Sequence, residues 1–85
     1  MAQKGNKIAG IIKTMLEFTD NSNTQEHCCS ILSNFARHEE NQISISHEGG
    51  IEAVLGAMNN HIHHINVQKE ACIALRCLAY HNAEN

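Results

Sequence analysis

An all-α fold is predicted for this chain by three observations. It has no proline among its 85 residues, its apolar positions recur three and four apart, and its second half resembles its first. Proline is the main helix breaker, so its absence leaves helices free to run. Recurrence at three and four is the spacing of one face of a 3.6-residue turn. Self-similarity at a fixed period marks stacked units that cannot bury their apolar faces alone.

The repeat sets the element order. At an offset of about 40, Gly10 pairs with Gly50, Ile11 with Ile51, Met15 with Leu55 and Phe18 with Met58. A small loop insertion then raises the offset to about 43, pairing Gln25 with Gln68, Cys29 with Cys72, Leu32 with Leu75, Phe35 with Leu78 and Ala36 with Ala79. Two units follow, residues 1–40 and 41–85, the first lacking most of a short leading helix and the second ending where a further unit would open. In the first, helices are predicted near 7–19 and 24–38, with Asn23 three residues before Glu26 in the manner of a capping box.

The second unit opens with a short helix or turn over 41–48, ended by Gly49-Gly50. Ile51, Val54, Leu55 and Met58 mark one face of the next helix, and residues 60–65 form a loop. Asn66 is the expected N-cap of a helix from Val67 to about Tyr80, with Ala71, Leu75, Leu78 and Ala79 on its core side. Ile43-Ser44-Ile45-Ser46 alternates with period two, as a strand does. Four residues with no partner strand make no sheet, so the helical context is expected to prevail.

Composition narrows the function classes. Nine acidic and six basic residues give a net charge of −3, and the cations are scattered, so no stripe is present to neutralise a phosphate backbone and nucleic-acid binding is not expected. No apolar run approaches the roughly 20 residues of a membrane span, and no signal peptide is evident. Cys28, Cys29, Cys72 and Cys77 form no C-x-x-C pair. Reduced thiols in the cytoplasm, or the nucleus, fit that pattern.

The segments EGGIEAVLGAM and VQKEACIALRCLA resemble the armadillo repeat, a unit of about 40–47 residues with one short and two longer helices. The resemblance covers nearly the whole chain, most clearly over 41–82 and in truncated form over 7–40, and the Gly49-Gly50-Ile51 corner and the Val67-Gln68 helix start are its most specific marks. It implies a right-handed α-solenoid that binds a protein or an extended peptide along the concave face of its third helices. The positions that would line this face are Glu26, Ser30, Ser33, Asn34 and Arg37 in the first unit, and Lys69, Ile73, Arg76, Cys77 and Tyr80 in the second. A peptide with one acidic and one apolar anchor suits that set; the plainer alternative is that Ile73 and Cys77 pack on a neighbouring repeat. Family members that import nuclear cargo carry a Trp-x-x-x-Asn pair, whose positions here are Ser30 and Asn34, then Ile73 and Cys77. Only Asn34 matches, so nuclear-localisation signals are not the expected ligand.

The remaining candidates have simpler readings. His61, His63 and His64 carry ligand chemistry, but a structural zinc site needs four convergent ligands and none lie nearby in sequence, so no metal or cofactor is assigned. Cys28 and Cys29 are read as small buried apolar residues rather than nucleophiles, and no catalytic constellation can be assembled. The expected role is a non-catalytic interaction module or scaffold fragment, self-associating through exposed terminal faces. Repeats that act only as structural spacers of a larger assembly are the alternative.

Overall fold

The computed structural model describes residues 4–82, and side-chain burial over 7–79. These residues form five α-helices and no strand: α1 (Lys4–Glu17), α2 (Ser22–Phe35), α3 (Glu39–His47), α4 (Gly50–Asn60) and α5 (Ile65–Asn82). The all-α expectation holds, with helices beginning two or three residues earlier than predicted in α1, α2, α3 and α5. None of the described helices is long and apolar enough to cross a membrane.

Side-chain caps explain the earlier starts of α2 and α5. Asn21, not Asn23, caps α2: its side-chain oxygen accepts the Thr24 N–H at 3.0 Å. Asn66 is likewise not the cap of α5. The helix already includes Ile65, and the His64 ring Nδ1 accepts the Val67 N–H at 3.2 Å. Asn and Asp are the usual cap residues because a short side chain reaches the free N–H groups of the first turn. A histidine does the same job here through its acceptor nitrogen, which a propensity argument overlooks.

Two helical hairpins, α1–α2 and α4–α5, lie side by side, with α2 against α5 as the most extensive contact and α1 against α4. Among the described residues α1 and α5 do not touch, whereas α3 reaches all four of the other helices from one end. The Cα trace measures 33 × 28 × 16 Å, the thickness of two helix layers spaced 8–10 Å apart. The core between them holds Ile8, Ile12, Met15, Leu32, Ile45, Val54, Val67 and Leu78, each no more than 3% exposed.

The two hairpin connections match hydrogen bond for hydrogen bond. Gln25 Nε2 donates to the carbonyls of Met15 (3.0 Å) and Phe18 (2.8 Å), ten and seven residues back. Gln68 Nε2 donates to those of Met58 (2.9 Å) and His61 (2.9 Å), at the same spacings. The turn bonds Asn21 N–H to Phe18 O and Phe18 N–H to Thr14 O recur as His64 to His61 and His61 to Ala57. Each glutamine thus donates to two carbonyls at and just past a helix C-terminus, one of which, Phe18 or His61, also accepts a backbone N–H.

This equivalence corrects the sequence alignment of α1 with α4. An offset of about 43 holds throughout the connection, pairing Met15 with Met58 and Phe18 with His61, and no loop insertion is present. The offset of about 40 differs by nearly one helical turn, so it superposes one apolar face on itself and gives a false match.

At the α3–α4 corner the two glycines have separate tasks. Gly49 takes φ 87°, ψ 21°, a left-handed conformation costly for any residue with a Cβ. Gly50 is buried, and a Cβ there would overlap Ile45 Cγ2 and lie 2.8 Å from the Ile45 carbonyl oxygen. The alternating segment before it is helical: Ile45 is fully buried while Ile43 is 64% exposed. Asn41, Gln42 and Ile45 form the inward face, and Gln42 Nε2 donates to the Ala36 (2.6 Å) and Cys77 (3.2 Å) carbonyls, tying α3 to the ends of α2 and α5.

Candidate protein-binding surface

On α2, Glu26 and Ser30 are half-buried and Asn34 exposed, at helical spacing along one side, and Arg37, just past the α2 C-cap Ala36, is also exposed. Ser33, placed beside them by the sequence, is instead buried, its hydroxyl donating to the Ser30 carbonyl at 2.7 Å. On α5, Lys69 and Arg76 are exposed and Ile73 half-buried. Cys77 is also half-buried but packs against the core. Tyr80 belongs to α5, and its side chain lies outside the described residues.

Part of the α2 strip borders the α2–α5 seam. Glu26 and Ser30 line a groove of about 240 Å³ with Asn23, His27 and Glu70. Glu70 is a contributor absent from the sequence-derived set: it is half-buried on α5 and lines this groove with residues of α2. Two carboxylates, an amide, a hydroxyl and an imidazole make the groove polar and rich in hydrogen-bond acceptors. The cations Lys69 and Arg76, beside which an acidic anchor was expected, do not line this groove. Asn34 opens onto another groove, of about 370 Å³, with Ile31, Phe35, His38 and Asn41. The sequence had grouped Asn34 with Glu26 and Ser30 in one lining, and the structure divides them between two.

Comparison with known proteins finds no matching family model, no matching curated protein and no matching solved structure. The reading of this surface therefore rests on its own geometry and chemistry.

The cysteines are arranged for packing. Cys29 is fully buried and Cys28 nearly so. Burial raises the Cys28 thiol above its ordinary value. Burial, with smaller contributions from Cys28 and Glu70, pushes Cys29 up to about 12. Both are neutral near pH 7, unsuited to nucleophilic attack or metal binding, which require the thiolate. Cys72, expected on the core side by its equivalence to Cys29, is exposed. Ala79, the equivalent of buried Ala36, is exposed as well, while Val67, Ala71, Ala74 and Leu78 make the buried face of α5.

The histidine cluster is structural in two of its three members. His61 Nε2 donates to the Thr19 carbonyl at 2.7 Å, joining the two hairpin connections, and His64 caps α5. His63 is exposed. No group of three or more metal-ligating side chains converges among the described residues.

Proposed function

We propose that this chain is a non-catalytic protein-interaction module of armadillo type, holding an extended peptide or partner segment across the outward strips of α2 and α5. The observation that carries this is the seam groove lined by Asn23, Glu26, His27, Ser30 and Glu70; Lys69 and Arg76 are exposed on α5, one of the two helices that form it. Acidic acceptors from both helices line the groove, and α5 also carries two exposed cations, so a partner segment with both signs of charge suits this pair of helices. A basic side chain fits the Glu26–Glu70 groove, an acidic one fits Lys69 and Arg76, and Ile73 supplies an apolar contact between them. The recurrence of the same capped, glutamine-clamped connection in both hairpins supports repeat units of this type, and a right-handed solenoid is their natural stacking. Free cysteines without a disulfide among the described residues suit a cytoplasmic or nuclear setting.

Purely structural spacer repeats are a second reading, favoured by the packing of Cys77 against the core. Selecting peptides from a random library separates the two. The interaction reading expects enriched peptides with a Lys or Arg, lost when Glu26→Lys and Glu70→Lys are combined. The spacer reading expects no enrichment from a folded protein.

A further inference from the structure

Equivalent positions of the two hairpins differ in exposure in a reciprocal way. On α2 the stripe Gln25, Cys29, Leu32 and Ala36 is at most 2% exposed, with Glu70 of α5 close enough to bear on the Cys29 thiol. Its counterparts on α5, Cys72 and Ala79, are exposed, and Leu75 is half-buried. The opposite flank shows the converse. Ala74 and Leu78 of α5 are at most 1% exposed, while their counterparts Ile31 and Phe35 on α2 are half-buried and line an open groove of about 370 Å³.

The other layer repeats the pattern. Ile12 of α1 is 3% exposed and lies against the start of α4, whereas its counterpart Leu55 is 50% exposed. Val54 of α4 is fully buried, and its counterpart Ile11 is half-buried. Each hairpin therefore has a receiving flank and an inserting flank. Inside the chain one of each is used; one of each is left open.

We infer that the open flanks join: a second copy of this chain seats Ile11, Ile31 and Phe35 of its α1–α2 hairpin on Leu55, Cys72 and Ala79 of the first. The contact continues the internal interface, in which Val54, Ala74 and Leu78 share one buried core with Ile12, Cys29 and Ala36, the equivalents of those same receiving positions. Because the two flanks are different surfaces, the contact is head-to-tail, and an operation that does not close gives an open series rather than a two-fold dimer. This deepens the scaffold reading by naming a partner, and it uses flanks distinct from the Glu26–Glu70 groove, so either can fail without the other.

The test is sedimentation velocity of the chain over a concentration series, with two flank variants. Cys72→Arg spoils the receiving flank and Ile31→Lys the inserting one; should Ile31→Lys lose its helical circular dichroism, Ile11→Lys takes its place on the same flank. The expected result is a mass that rises from 9.4 kDa with concentration and shows no plateau at the dimer. Each variant alone is expected to be monomeric, and an equimolar mixture to stop at twice the monomer mass, since one good flank of each kind remains. A folded chain that is monomeric at every concentration overturns the inference and assigns the open flanks to another repeat or a foreign helix. Self-association of Cys72→Arg alone, or a mixture that stays monomeric, overturns it equally.

Discussion

Replacing Gln25 by methionine removes two hydrogen bonds while keeping side-chain length and leaving the backbone untouched. The amide is 2% exposed, so water cannot take its place. The Phe18 carbonyl keeps the Asn21 N–H, but that of Met15 loses its glutamine donor at the end of α1. An orphaned buried acceptor costs about 1–3 kcal/mol and a replaced hydrogen bond about 1 kcal/mol, giving a loss of roughly 2–4 kcal/mol. A domain of this length has about 4–13 kcal/mol in all, so the effect is a large fraction of it. Gln68→Met removes the equivalent pair, but Gln68 is half-buried, so solvent replaces part of the loss and about 1–2 kcal/mol is expected. Urea unfolding followed by helical circular dichroism gives both values. A Gln25→Met protein within about 0.5 kcal/mol of the parent, or one less affected than Gln68→Met, would refute the clamp argument.

The corner, the caps and the thiols give further expectations. Gly50→Ala forces a Cβ into Ile45 and is expected to cost about 1–3 kcal/mol, and Gly49→Ala about 1–2 kcal/mol through its positive φ alone; thermal unfolding of each against the parent measures the two. Asn21→Ala and His64→Ala each remove a cap and should cost about 0.5–2 kcal/mol, readable as a lower urea midpoint with an unchanged slope. Iodoacetamide at pH 8 should modify exposed Cys72 rapidly and Cys29 hardly at all in the folded state, because a thiol at about 12 is ionised there to about one part in ten thousand; peptide mass mapping of early time points reads the order. The folded state also holds the Cys29 proton more tightly than the unfolded chain, whose thiol titrates near 9.0. That contribution is fully present below about pH 9 and is lost as pH rises toward 12, so Cys29→Ala should flatten the alkaline fall in stability.

Helix number and order were legible in the residues because apolar periodicity and the Gly49-Gly50 corner are local signals. Helix starts were less so. Asn21 and Asn23 are equally good caps by type, and only the chain's exit from α1 decides between them. The mispairing of α1 with α4 came from the helix itself, since a slip of nearly one turn preserves the apolar face. Cys72 and Ala79 were misplaced for a different reason. Their equivalence to Cys29 and Ala36 is correct, but burial depends on what lies alongside, and no described helix covers that flank of α5. Glu70 escaped notice because its role exists only across the seam, where two sequence-distant helices meet.

The most direct test of the interaction reading is an amide chemical-shift footprint of a library-selected peptide on the isotope-labelled protein. The account predicts shifts concentrated at Asn23, Glu26, Ser30, Glu70 and Ile73, the α2–α5 seam, and their loss in the Glu26→Lys, Glu70→Lys protein. A footprint confined to α1 and α4, or one unchanged by the charge reversal, would contradict it.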